Sequence, residues 1–332
     1  MRIGCFHLNQ IGDLLFSLPA LHNLRQWQPD ARLISIVRPS CRDLLSLSGL
    51  VDDAIERTGD SLSANLDVAR KLRREQLDLL LLFSTSAAAW YTAMLSGARE
   101  RIGFTHCLGG AFFSHRVPWS PPPSTENDLR LVEAAGCPVT KRDYVGLIRP
   151  GEIEVGEADR LLESVGVAAG EETAVLSPGS SPGREIKRWP DECCARVADR
   201  LHEQFGLIPV IVGMKGDAEG IMRMSRRARD ITGRTSLPVL AGVIARSRMV
   251  VGTDSGVMHL AGAVGAPVIA LFGPTDHTIT GPQGIHRIVC LDLPCAPCQA
   301  NTCAIGRPCM EDITPDMVIR AVSDLGEDHN AD

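Results

Sequence analysis

Short apolar runs alternate with longer amphipathic stretches along the whole chain. An apolar run of four to eight residues reads as a buried strand, and apolar positions recurring at three and four residues read as a helix. Their alternation is the pattern of βαβ units building a parallel sheet, so the expected class is α/β. In the first half the pattern predicts strands at 2–8, 32–37, 77–83 and 101–104, with helices at 14–27, 64–75 and 87–95 between them. A break at 149–157, containing Pro150 and Gly151, separates this series from a second and gives expected domains of 1–155 and 156–332. The second series predicts a helix at 158–165, strands at 173–176, 208–212, 249–251 and 267–272, helices at 191–205 and from 218 and 257, and a closing helix at 315–325. Two Rossmann-like halves result. Ligands of such sheets sit at the carboxyl ends of the strands, so two halves facing each other would hold a substrate in the cleft between them. Pro121-Pro122-Pro123 reads as a surface loop.

Length agrees with this division, because 332 residues at roughly 150 per domain make two domains. With 44% hydrophobic residues and 34 basic against 40 acidic side chains, a net charge of −6, disorder and collagen-like repeats are excluded. A sequence pI near 5.9 offers no general attraction for nucleic acid. The apolar stretch at 79–83 runs into Ser84, Thr85 and Ser86, far short of the roughly 20 residues a membrane-spanning helix needs. The N-terminus lacks a long apolar run ending in a small-residue cleavage site and reads as a strand, so the protein is expected to stay in the cytoplasm.

Four segments carry candidate chemistry. The first strand runs through Asn9-Gln10-Ile11-Gly12-Asp13 into a helix, putting a glycine and a carboxylate on the first strand-to-helix turn. Asp13 there is either a helix cap or an acid–base group facing the cleft. No Gly-x-Gly-x-x-Gly accompanies it, which removes the main support for a nicotinamide oxidoreductase. In the second half, Thr253-Asp254-Ser255-Gly256 lies between a buried strand and a new helix. Free N–H groups, the positive helix end and the hydroxyls of Thr253 and Ser255 suit a phosphate, and Gly256 permits close approach. His259 falls on the first turn of that helix, as a structural or a ligand-binding histidine. Ser177, Gly179 and Ser180 follow another strand, with Lys187 and Arg188 after them, beside which a diphosphate would be neutralised. Gly273-Pro274-Thr275-Asp276 adds a further polar turn at the same end of the sheet.

In order and spacing these segments resemble glycosyltransferase family 9, the ADP-heptose:lipopolysaccharide heptosyltransferases. The resemblance spans nearly the whole chain: Ile11-Gly12-Asp13, Pro19-Ala20-Leu21 and Leu24-Arg25 in the first half, then Lys187-Arg188-Trp189-Pro190, Asp254-Ser255-Gly256, His259-Leu260-Ala261 and Leu271-Phe272-Gly273-Pro274-Thr275. It implies the two-domain GT-B fold and an inverting transfer from ADP-heptose that needs no metal. By it, Asp13 matches the catalytic base and Lys187 the donor-phosphate lysine, while Gly12, Ser177, Gly179, Arg188, Asp254, Ser255, Gly256 and His259 bind the donor. Asp217 falls where the family often has an acidic residue near the nucleoside. The implied partners are ADP-heptose and a lipopolysaccharide core acceptor met at the cytoplasmic face of the inner membrane. One departure concerns the acceptor. The family commonly has basic residues after the strand matching 77–83, where this chain has Ser84-Thr85-Ser86-Ala87-Ala88-Ala89-Trp90. Either the acceptor carries no phosphate there, or Arg99, Arg101 or Arg116 serves from another loop.

Eleven cysteines is an odd count, and five crowd into the loop at 290–309. Cys295-Ala296-Pro297-Cys298, Cys303 and Cys309 space four thiols so that one loop would wrap a structural zinc or iron ion. Two disulfides are the competing reading, disfavoured by a reducing cytoplasm. The family's autotransporter branch, which acts on protein, carries a comparable iron-binding cysteine finger. The expectation is therefore a heptosyltransferase acting on lipopolysaccharide core. Its rivals are the same chemistry on a protein or another glycan, and a non-catalytic nucleotide-sugar-binding protein.

Overall fold

The computed structural model describes residues 1–7, 10–59, 61–105, 112–120, 124–179 and 183–329. Leu8 and Asn9, the prolines at 121–123 and Ser180, all named above, lie outside the described residues. The chain forms two compact units, Met1–Leu147 and Ile148–Asp332.

The first unit contains strands β1 (Arg2–Phe6), β2 (Arg32–Val37), β3 (Asp53–Glu56), β4 (Leu79–Leu82), β5 (Glu100–Phe104) and β6 (His115–Val117). The second contains β7 (Thr173–Ser177), β8 (Ile208–Ile211), β9 (Arg229–Asp230), β10 (Ser247–Thr253), β11 (Val268–Leu271) and β12 (His286–Val289). Each unit is one six-stranded sheet, ordered β3-β2-β1-β4-β5-β6 and β12-β11-β10-β7-β8-β9. Every strand pair is parallel. Within each unit the order is third-second-first-fourth-fifth-sixth, the doubly wound Rossmann order. The strand order reverses between β1 and β4 in one unit and between β7 and β10 in the other. Ligands of such sheets bind outside the carboxyl ends of the strands at this switch point, and Asp13 and the turn at 253–256 lie directly after β1 and β10.

Inner strands are legible because both faces are covered: Leu79–Leu82 and Val268–Leu271 are unbroken, fully buried apolar runs. The edge strands β3, β6 and β9 have no such run, being half-buried or exposed, and the sequence pattern misses them together with β12. It also misses the helices Pro39–Ser46, Ser124–Ala134 and Leu237–Ala245. The segment expected as a break is largely helical, over Glu152–Glu163, started by a Glu154 carboxylate that accepts the Gly151 N–H at 2.8 Å. That helix packs on Leu237–Ala245 within the second unit.

In the first unit the helix Ile11–Trp27 is buried along most of its length, with ten of its 17 residues inside the core. Its buried polar members, Ser17 and Asn23, are bonded, as is His7 beside them. His7 sits between the Ser17 and Ser35 hydroxyls at 2.8 and 3.0 Å, and burial lowers its pKa to about 3, so it is a neutral structural histidine. Asn23 accepts from the Thr140 and Lys141 N–H groups and donates to the Lys141 carbonyl, pinning that segment to the helix.

Candidate functional site

In the first unit Asp13 is the third residue of the helix Ile11–Trp27, which starts three residues earlier than its apolar pattern indicates. It is not the N-cap, which is Gln10. The Gln10 backbone nonetheless bonds its carboxylate, the reach-back geometry of a residue in the first helical turn. Gly12 precedes it inside the same turn. Burial raises Asp13 to about 6, with the Gln10 bond opposing, so it ionises just below neutral pH. It opens into a cavity of about 360 Å³ walled by Phe16, Phe83, Phe104 and Trp119.

A second carboxyl, Asp128 on the helix Ser124–Ala134, lines the same cavity. It is 8% exposed. Its pKa stands well above the ordinary carboxylate range, first through burial and then through the Asp13 charge. Asn127 beside it is engaged elsewhere, accepting from the Ser120 N–H at 3.1 Å and donating to the Ser120 carbonyl at 2.8 Å. The sequence reading missed Asp128 because it missed the helix. The available signal was a carboxylate at the position that, with Leu131 and Val132, makes the apolar face.

The arginines considered for the acceptor stand elsewhere. Arg99 precedes β5 at the amino end of the sheet and pairs with Asp78 at 3.3 Å. Arg101 donates to the Ala98 and Phe112 carbonyls at that same end. In a parallel sheet the amino ends lie opposite the switch-point loops, so neither reaches the Asp13 cavity. Arg116 is exposed on the edge strand β6. Ser84 and Ser86 bond each other and start the helix Ala87–Leu95, leaving Thr85 on the cavity wall.

In the second unit Ser255 is the N-cap of the helix Gly256–Val264, which opens with Gly256 and carries His259 on its first turn. Lys187 Nζ pairs with Asp254 Oδ2 at 2.6 Å, with both side chains nearly buried. His259 Nε2 lies 3.9 Å from Asp254 Oδ1. Burial lowers His259 to about 4, with Lys187 adding and Asp254 opposing, so the imidazole is neutral at pH 7. Thr253, expected to face a phosphate, instead donates to the Gly179 carbonyl at 2.6 Å and ties the loop after β7 to the end of β10. Ser177 closes β7 as a buried residue. The Ser255 and Thr275 hydroxyl oxygens are buried with no hydrogen-bond partner among the described residues.

Arg188 does not stand free for a phosphate. It donates to Asp191 at 2.7 Å and to the Asp217 carboxylate and carbonyl at 3.0 and 2.8 Å. Asp217 in turn accepts the Met214 N–H at 2.8 Å and fills the space where a Cβ on Gly179 would stand, 2.6 Å from its oxygen. A side chain at 179 would expel that carboxylate, which is why glycine is required there.

The cysteine loop buttresses the segment that carries Lys187. Arg307 donates to the Glu185 and Arg188 carbonyls at 3.2 and 2.9 Å, and Arg184 donates to Asn301 at 2.6 Å. Trp189, buried just before the helix Asp191–Phe205, donates to the Ile313 carbonyl at 3.1 Å. All ten described cysteines are free thiols, which removes the disulfide reading for Cys295, Cys298, Cys303 and Cys309. The Cys309 thiol is raised by burial and then by the charges of Cys298, Cys295 and Cys303, so the four share one neighbourhood. They do not close into a tetrahedral set. Among the described residues no three His, Cys, Asp or Glu side chains are grouped to hold a metal ion, since Cys295 and Cys298 sit exposed on a turn while Cys309 is buried beneath it.

Fold and site together define an α/β protein of two doubly wound sheets, one with a buried carboxyl in the first turn of the helix after β1 and the other with a glycine- and hydroxyl-bearing helix start after β10. The model of glycosyltransferase family 9 (heptosyltransferase) matches residues 66–307. Lipopolysaccharide heptosyltransferase 1 of Pseudomonas aeruginosa is 33% identical over 334 aligned positions, covering 94% of this chain and 90% of that protein. Lipopolysaccharide heptosyltransferase 2 of Escherichia coli is 25% identical, covering 85% of each. Among solved structures, a family 9 glycosyl transferase from Veillonella parvula aligns with a TM-score of 0.86 at 24% identity over 98% of this chain and 96% of that one. The ADP-heptose lps heptosyltransferase II of E. coli aligns with a TM-score of 0.81 at 22% identity over 99% and 100%. The chain belongs to glycosyltransferase family 9, and its fold is of the GT-B class. No helix among the described residues is long and apolar enough to cross a membrane.

Proposed function

We propose that this glycosyltransferase moves a heptose from ADP-L-glycero-D-manno-heptose, with inversion, to a hydroxyl of a lipopolysaccharide inner-core sugar. The observation that carries the donor half is the pair of buried, unpartnered hydroxyls of Ser255 and Thr275, at the carboxyl ends of the neighbouring strands β10 and β11. A buried hydroxyl without a partner costs about 1–3 kcal/mol, and a diphosphate would satisfy both beside the helix start at Gly256. The names of the relatives support the donor sugar and the lipid-linked acceptor. Such an acceptor is met at the cytoplasmic face of the inner membrane, and nucleic acid has no part.

Inversion is one displacement. The acceptor oxygen bonds the anomeric carbon as that carbon's bond to the diphosphate breaks, and the hydroxyl proton passes to the Asp13 carboxylate. Lys187, held by Asp254, faces the charge gathering on the departing ADP and stabilises the transition state more than the bound donor. Neutral His259 offers a ring nitrogen without adding charge. Arg188, Asp217 and Thr253 act at one remove, holding the Gly179 loop and the Lys187 segment in place.

The cysteine loop is read as the seat of a structural zinc or iron. The four thiols share one neighbourhood without being grouped to hold an ion among the described residues, so an ion would have to draw them together; Cys303 Sγ already accepts the Arg307 N–H at 3.2 Å, as metal-bound thiolates do. A metal there would supply rigidity to the loop that holds the Lys187 segment. Metal analysis of the purified protein should give about one ion per chain, lost in Cys298→Ser; none in either protein removes the reading.

The test of function is ADP release from ADP-heptose with a panel of truncated core acceptors, run beside Asp13→Asn. Acceptor-dependent release that the variant loses supports the whole reading. Donor binding without any core acceptor moves the acceptor to a protein or another glycan, and no donor binding overturns the donor.

A further inference from the structure

Asp128 has no role in the chemistry so far, yet its setting is unusual. It projects from the start of the helix Ser124–Ala134 into the Asp13 cavity, is more than nine-tenths buried, and hydrogen-bonds or ion-pairs with no described residue. Its neighbour Asn127 is held by Ser120, the alcohols on the wall are Thr85 and Ser124, and Asp128 and Asp13 are the only carboxyls that line the space among the described residues. The rest of the wall is aromatic: Phe16, Phe83, Phe104 and Trp119. Ring faces beside paired carboxyls suit a polyhydroxylated sugar, whose C–H faces pack on the rings while its hydroxyls meet the polar groups. No cation lines the cavity among the described residues, so an anionic group entering it would meet the Asp13 charge unopposed.

We propose that Asp128 is an acceptor-binding residue, donating a hydrogen bond to a hydroxyl of an uncharged acceptor sugar and so presenting the adjacent hydroxyl to Asp13. This deepens the proposed function and rests on it. The two carboxyls divide the labour because their surroundings separate them. Asp13 has given up its proton by neutral pH, and Asp128, deeper and facing that charge, holds its own well above the ordinary carboxylate range. A protonated carboxyl is a donor; a second carboxylate would repel the base and accept only. No proton leaves Asp128 during transfer. Among the described residues the buried Cys41 thiol also feels the Asp13 charge, and burial pushes that thiol up so that it stays protonated.

Steady-state kinetics of Asp128→Asn and Asp128→Leu test this. The amide can still donate, so Asp128→Asn should raise acceptor KM a few-fold with a modest fall in kcat and keep the acid limb of the pH–rate profile near pH 6. Asp128→Leu, of similar volume and without a donor, should raise acceptor KM by more than about thirtyfold while donor KM holds. A donor KM that holds also shows that the variant is folded. If Asp128→Asn is as inactive as Asp13→Asn, Asp128 works as a carboxylate and the proposal is overturned; so too if Asp128→Leu leaves acceptor KM alone. Should the wild type transfer to no core acceptor, the proposed function falls separately. Asp128 is then judged by saturation-transfer NMR with a methyl heptoside, whose signal the wild type must give and Asp128→Leu must lose.

Discussion

The two units treat charge in opposite ways. In the first, two carboxyls share an aromatic cavity with no counter-cation among its described lining residues, and both are pushed upward, Asp13 to about 6. In the second, the charges are matched before any ligand arrives: Lys187 on Asp254, Arg188 on Asp191 and Asp217. What is left over there is neutral donors, the Ser255 and Thr275 hydroxyls and the helix N–H groups. The contrast fits the proposed tasks. A base that takes a proton near neutrality must be desolvated and unpaired. A site for a dianion must be built from donors already oriented, without a surplus of buried cations to destabilise the empty state.

Breaking the first half of this contrast gives the largest effect. Asp13→Asn should lower kcat by about 10³-fold, within the range for a lost general base, with donor affinity retained by calorimetry. The wild-type rate should rise with pH through about 6 as Asp13 deprotonates. Stability should move the other way. The folded pKa lies above the ordinary 3.8, so the folded state keeps its proton while the unfolded state has lost it, and stability falls as pH rises from about 4 to 6. Asp13→Asn is therefore more stable than wild type at pH 7, by roughly 2–3 kcal/mol, and equal to it at pH 4. Denaturant unfolding at the two pH values checks this, and a variant destabilised at pH 7 would mean that Asp13 is paired after all.

Lys187→Met breaks the second half. It should cost about 10²-fold in kcat/KM and, unlike Asp13→Asn, about 3 kcal/mol of stability, because Asp254 is left buried without its partner. Adding Asp254→Asn to it should recover stability and not rate. A Lys187 variant that loses rate alone would show the pair to be solvated.

The finest comparison is between two hydroxyls two residues apart. Thr253→Val removes the bond to Gly179 and should lower stability by about 1 kcal/mol. Ser255→Ala removes an oxygen with no partner, so the empty protein should be no less stable, while the thermal shift on adding ADP shrinks in step with a several-fold loss of affinity. Equal losses from the two variants without ADP would end the distinction.

The difference between the units also explains what could be read in advance. The turn at 253–256 and Lys187 were visible because a phosphate site is built from glycine, hydroxyls and a helix start within a few residues of one strand. The cavity was not, since its walls come from Phe16, Phe83, Phe104, Trp119 and Asp128, scattered over more than 100 residues on two helices, one strand and two loops. Arg188 shows the same limit in reverse: a basic residue beside a Gly/Ser turn looks available in the sequence, and the fold has Asp191 and Asp217 already on it.

By itself the sequence determined the α/β class, the position of every inner strand, the family, and the local motifs at Asp13 and Asp254, because each is written in periodicity or in neighbouring residues. Tertiary structure decided which of those groups are charged and which are spoken for. Pairing and desolvation are properties of what the fold brings within a few ångströms, and on that account Arg188 became a brace, Thr253 a tie, and Asp128 a buried neighbour of the Asp13 charge.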